Sequence, residues 1–183
     1  MTHPEKYIDK VPFSDLMPEF FNRIYSSWRD IQFEKYEVMY ELMKKYKIDL
    51  GLSLDIGCGP FYLQEFFEEK GVEAEFICID IDKDLKTSSY DYLIADGNRL
   101  PFKSETFDTV FIVDSLHFIN RFEDVYNVLK FNGYIFVSTF VNIYNYELKR
   151  DEVEKKLKRF EILENFLNKG REYELVVLAA KHL

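Results

Sequence analysis

Short apolar runs alternate with helical patterns along most of the chain beyond residue 51. The apolar runs are LSLDI at 52–56, EFICID at 75–80, DYLIAD at 91–96, FDTVFIVD at 107–114 and YIFVSTF at 134–140, which follows an Asn132-Gly133 turn. The segments at 61–71, 122–130 and 151–159 have the spacing or charge of helices. Strands that alternate with helices in this way predict βαβ units and a parallel sheet.

The two ends of the chain carry different patterns. FEILENF at 160–166 and YELVVLAAK at 173–181 flank Asn168-Lys169-Gly170, which predicts a hairpin that adds an antiparallel strand. The first fifty residues predict two helices, one capped by Ser14 and running to about Trp28, and one from Ile31 to Tyr46. Together these patterns predict an α/β fold with a Rossmann-like, doubly wound, mostly parallel seven-stranded sheet, a C-terminal antiparallel hairpin and N-terminal helices.

The length and charge of the chain limit the number of domains and the kind of ligand to expect. The 183 residues suit one domain, with a core at 51–183 on which the helices of residues 1–50 pack. Between Gly51 and Glu147 there are 7 basic and 17 acidic residues, a balance of −10. A face that binds nucleic acid would need the opposite sign, so nucleic acid is not an expected partner. The acidity suits a cationic ligand, although solubility alone also explains it.

The sequence carries no sign of a membrane or secretory segment. Its longest apolar runs fall far short of the roughly 18 residues of a membrane span. The start, MTHPEKYIDK, lacks the apolar centre of a signal peptide, and two cysteines are too few for a disulfide framework. A cytoplasmic location is therefore expected, while nothing indicates the oligomeric state.

Acidic residues end four of the predicted strands. These residues are Asp55, Asp80, Asp96 and Asp114. Because ligands of open α/β sheets bind outside the carboxyl ends of the strands, the four carboxylates are expected to converge on one rim. Their mutual repulsion predicts a bound cation, or a ligand with several hydroxyl and amino groups. The alternative is that each one only caps a loop or the following helix.

A glycine loop follows the first strand. In Asp55-Ile56-Gly57-Cys58-Gly59-Pro60, two glycines let the backbone approach a ligand closely. The third glycine of a dinucleotide fingerprint would fall at Tyr62, so the NAD hypothesis fails, and no phosphate-binding P-loop is present. Asp80 ends the second strand, where an acid binds ribose hydroxyls. The loop and this acid together predict a nucleoside ligand.

These segments resemble the class I S-adenosylmethionine-dependent methyltransferases. LDIGCGP is similar to the family's first motif, FICIDID to its second-strand acid motif, and VLKFNGYIFVSTF to its fifth-strand block. ADGNRLPFKSETFDTVFIVDSLHF resembles the small-molecule subgroup that includes the ubiquinone and menaquinone biosynthesis enzymes. The sequence departs from the family where Pro60-Phe61-Tyr62-Leu63 replaces the usual third glycine.

The resemblance implies S-adenosylmethionine as cofactor and assigns roles by position. Asp55 and the Gly57–Gly59 backbone, with Cys58 between them, would hold the methionine part, and Asp80 the ribose hydroxyls. Asp96 would bind the adenine amino group, with Gly97 and Ile81 along the ring. Val113 and Asp114 would lie beside the sulfonium and the methionine amine. The N-terminal segment, rich in aromatics (Phe13, Phe20, Phe21, Tyr25 and Trp28), would form a lid over the acceptor, with a place in the buried core as the alternative for these rings.

The predicted function is methyl transfer to a small-molecule acceptor by in-line displacement. Positioning and exclusion of water do most of this work, and a general base is optional. His117, just past the fourth strand, is the candidate base, with a purely structural role as the alternative. Two other functions stay open: methyl transfer to tRNA or protein, for which the basic run 149–159 is the one suitable stretch, and cofactor binding without catalysis.

Overall fold

A computed structural model describes residues 18–85 and 89–182, with side chains from Trp28 onward. Its helices are α1 (Pro18–Tyr46), α2 (Tyr62–Glu69), α3 (Phe122–Val128) and α4 (Tyr146–Lys156), with a 3₁₀ turn at Leu116–Phe118. Its strands are β1 (Leu52–Ile56), β2 (Glu75–Asp80), β3 (Asp91–Ile94), β4 (Phe107–Val113), β5 (Leu129–Phe140), β6 (Glu161–Lys169) and β7 (Tyr173–Ala180). Among these helices, none combines the length and the apolar character needed to cross a bilayer.

All seven strands form one sheet in the order β3-β2-β1-β4-β5-β7-β6. The first five pair in parallel, while β7 runs antiparallel to both of its neighbours, β5 and β6. The strand order reverses between β1 and β4, which creates the switch point at which ligands of doubly wound folds bind. The predicted fold class, including the C-terminal hairpin, is confirmed.

Each face of the sheet is covered by its own helices. On one face, α1 and α2 pack on aromatic residues of the central strands, where the Phe111 and Phe136 rings stack with centroids 5.1 Å apart. On the other face, α3 and α4 bury Val125, Val153 and Leu157 against β4, β5 and β7. The two layers hold the carboxyl edge of the sheet rigid, which is the requirement for a preorganised site.

The prediction of two N-terminal helices is wrong, because α1 runs without a break from Pro18 to Tyr46. The expected break near Arg29 contains neither Gly nor Pro, and the Arg29 guanidinium is held by carboxylates of Glu65 and Glu69 on α2. This contact with α2 stabilises the helix where its own apolar pattern is weak. The predicted cap, Ser14, lies outside the described residues.

The predicted turn at Asn132-Gly133 is also wrong, because both residues lie inside β5. Asn132 has a φ of 61°, and the pairing of β5 with β4 is irregular there. The end of β7 supplies the missing partners: the Asn132 N–H donates to the Lys181 carbonyl at 2.7 Å, and the Lys181 N–H donates to the Gly133 carbonyl at 2.9 Å. A bulge that a neighbouring strand completes therefore replaces the turn.

Candidate functional site

A cavity of about 580 Å³ opens at the carboxyl edge of the sheet, at the switch point between β1 and β4. Its floor is formed by the loops that follow β1, β2, β3 and β4, and α1 contributes one wall through Trp28, Gln32 and Tyr36. The volume lies in the range of small-molecule sites. The fold therefore provides a pocket where the sequence pattern predicts a ligand.

All ten residues predicted to bind the cofactor line this cavity. They are Asp55, Gly57, Cys58, Gly59, Asp80, Ile81, Asp96, Gly97, Val113 and Asp114. The expected convergence of four acids on one rim is thus observed. His117 is not among the lining residues: it is exposed on the 3₁₀ turn, with its ring against that of Phe118 at a centroid distance of 3.8 Å.

The glycine loop depends on backbone conformations that favour glycine. Gly57 has a φ of 79°, and a Cβ there would lie 2.6 Å from the Cβ of Ser115, so this position needs glycine for close approach to the loop after β4. Gly59 has a φ of 53°, and a Cβ there would meet no atom within 4 Å. Because Gly59 lines the cavity, this open space is room for a ligand.

Phe61 lies in the segment that lacks the family's usual third glycine. Its φ of 64° is left-handed, a conformation that costs a non-glycine residue about 1–2 kcal/mol. The buried ring stacks on Tyr90 with centroids 5.5 Å apart and meets Tyr92 edge-on at 5.6 Å. Packing on Tyr90 and on Tyr92 of β3 therefore offsets the strain of this conformation.

Three of the acids have different local partners. Asp55 is only 2% exposed and, among the described residues, accepts one hydrogen bond, from Gln64 Nε2 at 2.8 Å. Burial, opposed by this bond and assisted by nearby Asp80, raises the pKa of Asp55 to about 7. Asp80 accepts bonds from the N–H groups of Gly59 and Asp82 at 3.1 and 3.0 Å. The backbone N–H of Asn98, then its side chain, lowers the pKa of Asp96.

The fourth acid, Asp114, belongs to a buried charge cluster that the sequence analysis missed. Lys35 of α1 is 1% exposed, and its ammonium contacts both Asp114 Oδ2 and, at 2.7 Å, Glu174 Oε2 of β7. Gln32 Nε2 also donates to Asp114 Oδ2, at 3.1 Å. The sequence did contain a signal for this cluster, because Lys35 lies four residues before Met39 and therefore on the apolar face of α1.

The cluster is electrically balanced. Burial, and next the contact with Asp114, raises the pKa of Glu174 to about 9, so Glu174 is neutral at pH 7. Burial alone would raise the pKa of Asp114, but Glu174 and the Lys35 ammonium hold it below its usual value. One ammonium and one carboxylate remain, as a buried ion pair requires.

The aromatic N-terminal segment can be followed only in part. Trp28 lines the cavity and meets the Phe140 ring edge-on at 5.9 Å. Phe13 lies outside the described residues, as do the side chains of Phe20, Phe21 and Tyr25. Cys78 is buried in the sheet, as predicted, and its thiol contacts that of Cys58.

Sequence comparison identifies known relatives of the central part of the chain. Residues 54–137, just under half of the chain, match the methyltransferase domain family. A human protein named arginine-hydroxylase NDUFAF5, mitochondrial, is 32% identical over 107 residues, which cover 54% of this chain and 31% of that protein. Its zebrafish (Danio rerio) counterpart is 35% identical over 100 residues, which cover 49% of this chain and 30% of that protein. The chain thus spans about a third of the length of these relatives.

Solved structures share the fold over most of the chain. An S-adenosylmethionine-dependent methyltransferase from Clostridium acetobutylicum has a TM-score of 0.64 at 13% identity, with 90% of this chain and 99% of that chain covered. One from Methanosarcina mazei has a TM-score of 0.60 at 17% identity, and the match covers 78% of this chain and 97% of that chain. The fold is that of S-adenosylmethionine-dependent methyltransferases, and the comparisons support S-adenosylmethionine as the cofactor.

The cytoplasmic location stays a prediction, since the human relative is named as mitochondrial.

Replacing Lys35 tests the buried cluster. Lys35→Met leaves Asp114 as a buried charge without its cation, so we expect a loss of about 3–5 kcal/mol in the free energy of unfolding. Lys45→Met is the matched control, because Lys45 lies on the same helix but is exposed and pairs with Glu164 at the surface. The control should lose less than about 1 kcal/mol. Equal losses in urea unfolding of the two variants would contradict this account.

Glu174 should make stability depend on pH. Since its pKa is raised to about 9 in the folded chain, the folded state keeps a proton that the unfolded state releases above an ordinary glutamate pKa. The stabilisation is therefore complete at low pH and is lost as pH rises toward 9. Glu174→Gln mimics the neutral form, so its melting temperature should fall less than that of the wild type between pH 6 and 9. Parallel melting curves for the two proteins would refute the assignment.

Proposed function

We propose that the protein transfers a methyl group from S-adenosylmethionine to a small-molecule acceptor held between α1 and the carboxyl edge of the sheet. The observation that carries this proposal is the convergence of all ten predicted cofactor residues on one cavity. The methyltransferase-domain match over 54–137 contains each of these residues. The resemblance of the segment from Ala95 to Phe118 to the small-molecule subgroup that includes the ubiquinone and menaquinone biosynthesis enzymes supports a small-molecule acceptor.

Each part of the cofactor has a chemically suited group in the proposal. Asp80 takes the ribose hydroxyls, and Asp96 takes the adenine amino group beside Gly97 and Ile81. The loop of Gly57, Cys58 and Gly59 holds the methionine part together with Asp55. The open space at Gly59 supports this fit, because a side chain there would fill the room that the ligand needs.

When bound, S-adenosylmethionine supplies an electrophilic methyl group on a positively charged sulfur. The chain's task is to hold an acceptor in line with that group and to keep water out. Val113 and Asp114 line the cavity at the end of β4, and Trp28, Gln32 and Tyr36 close it from α1. In the proposal, the three α1 residues give the acceptor end two aromatic faces and one amide, while Val113 and Asp114 lie beside the sulfonium and the methionine amine.

A general base at His117 has little support. The ring is exposed and lies outside the cavity lining, and Asp114, its neighbour in sequence, is paired with Lys35 and Gln32. The proposal therefore relies on positioning, and the acceptor's proton leaves to solvent. We also propose that α1 and the core act as one unit, because α1 supplies a wall of the cavity and the charge partner of Asp114.

The test is a transfer assay with methyl-labelled S-adenosylmethionine against a small-molecule extract, total tRNA and a protein fraction. Label in the small-molecule fraction, with a mass increase of one CH₂ in the product, supports the proposal. Label in tRNA or protein would shift the acceptor class. Cofactor binding without transfer would indicate a silent binder, and gain of an oxygen atom on arginine would favour the activity that the human relative's name states.

Removing the ribose acid should weaken cofactor binding. Asp80→Ala deletes a carboxylate whose charge-assisted hydrogen bonds are worth about 1.5–3 kcal/mol each, so affinity for S-adenosylmethionine should fall at least about tenfold. Asp84→Asn, at a nearby exposed acid, should bind like the wild type in titration calorimetry. Unchanged affinity of a folded Asp80→Ala protein would refute the role of Asp80.

Substitutions at two glycines distinguish the effect of backbone strain from the effect of a side chain that excludes the cofactor. Gly59 and Gly71 have φ values of 53° and 67°, and a Cβ at either would meet no atom within 4 Å. Valine is strained at both positions, but only Gly59 lines the cavity. Gly59→Val should therefore abolish cofactor binding with a retained far-ultraviolet circular dichroism spectrum, whereas Gly71→Val should bind normally. Binding by the Gly59→Val protein would mean that the ligand lies elsewhere.

A further inference from the structure

Asp55 and Gln64 each have an unmet polar requirement in the described structure. Asp55 is 2% exposed and accepts a single described hydrogen bond, from the neutral amide of Gln64. Gln64 of α2 is 1% exposed, and its Oε1 has no hydrogen-bond partner. A buried carboxylate with one neutral donor and a buried carbonyl with none are both costly.

One proton satisfies both groups. A protonated carboxyl and a primary amide form a two-bond pair, in which the amide N–H donates to one carboxyl oxygen and the carboxyl O–H donates to the amide oxygen. The first of these bonds is present at 2.8 Å, and the partnerless Gln64 Oε1 is the acceptor that the second would use. Burial points the same way, because it raises the pKa of Asp55 to about 7.

We propose that Gln64 is a positioning residue that shares a proton with Asp55 in the cofactor-free cavity, and that binding of the cofactor's ammonium group releases this proton to solvent. The inference rests on the proposed function, which puts the methionine part of the cofactor beside Asp55. The proton moves from Asp55 to water, and the ammonium replaces it as the partner of the carboxylate. Cofactor affinity therefore increases with pH.

The groups around Asp55 leave few other sources of a proton. α2 presents Gln64, β2 presents Asp80, α1 presents Tyr36, the glycine loop presents Cys58, and β4 ends at Asp114, which Lys35 neutralises. Burial, and then Asp55, raises the pKa of Tyr36 well above its usual value. The contact with Cys78, followed by burial, raises the pKa of Cys58. Both groups are therefore neutral throughout the window of the test.

The experiment is titration calorimetry with S-adenosylhomocysteine between pH 5.5 and 7.0, where the ligand's α-amino group stays protonated. Titrations at each pH in two buffers of different ionisation enthalpy count the protons released. With a pKa of about 7 for Asp55, we expect nearly one proton released at pH 6. Affinity should rise roughly fifteen-fold from pH 5.5 to 7.0.

Three variants assign the proton. Asp55→Asn should bind more weakly and release none. Gln64→Met, which keeps the side-chain size without the amide, removes two bonds from the protonated carboxyl but only one from the carboxylate, so release at pH 7.0 should fall below the wild-type value of about half a proton. His117→Gln removes the exposed histidine beside the cavity and should leave the proton count as in the wild type.

The outcomes separate this inference from the function on which it rests. Absence of S-adenosylhomocysteine binding at every pH would overturn both. Binding with no proton release and an affinity independent of pH would overturn the role of Gln64 and Asp55 while leaving cofactor binding intact. Release that persists in Asp55→Asn would assign the proton to another group and also overturn it. Release at pH 7.0 in Gln64→Met that equals or exceeds that of the wild type would overturn the role of Gln64, and Gln64→Leu takes its place if Gln64→Met does not fold.

Discussion

The buried ammonium of Lys35 is the constraint on which the arrangement of the cavity depends. It joins α1 to the end of β4 through Asp114 and to the start of β7 through Glu174. Rotation of α1 by one residue would leave a lysine and a carboxylate buried without partners, a cost of several kcal/mol. Because α1 cannot rotate, Trp28, Gln32 and Tyr36 face the cavity.

The parallel sheet explains both why acids gather at one edge and how they coexist there. Strands of the same direction end at the same edge, so Asp55, Asp80, Asp96 and Asp114 converge whatever their order in the chain. Each carboxylate has its own partner. Asp55 accepts from the Gln64 amide, and Asp80 accepts from backbone N–H groups. Asp96 accepts from the Asn98 N–H, and Asp114 pairs with Lys35. The edge thereby offers carboxyl groups of different charge and exposure, which suits a ligand with several kinds of polar group.

The matched family region and the rest of the cavity fall on different parts of the chain. Residues 54–137 contain the glycine loop and the four acids, but neither Lys35 nor Glu174. The α1 wall also lies outside this match. The proposed cofactor half of the cavity is thus built from the shared region, while the proposed acceptor half is closed by Trp28, Gln32 and Tyr36 of the flanking helix. Relatives that resemble this chain only in the core therefore say little about its acceptor.

Local signals in the sequence determined the strands, the glycine loop and the acids, because hydrophobic periodicity and glycine placement act over a few residues. A doubly wound parallel sheet followed from these elements, and the resemblance to class I S-adenosylmethionine-dependent methyltransferases implied the ten cofactor residues that line the cavity. Tertiary structure alone decided what depends on contacts between distant residues: the unbroken α1 held by α2, the bulge at Asn132 completed by β7, and the strained Phe61 packed on Tyr90 and Tyr92. It also decided the partners of Lys35 and Gln64, since a buried charge or amide is defined by what surrounds it, and 79 and 139 residues separate Lys35 from its two carboxyl partners.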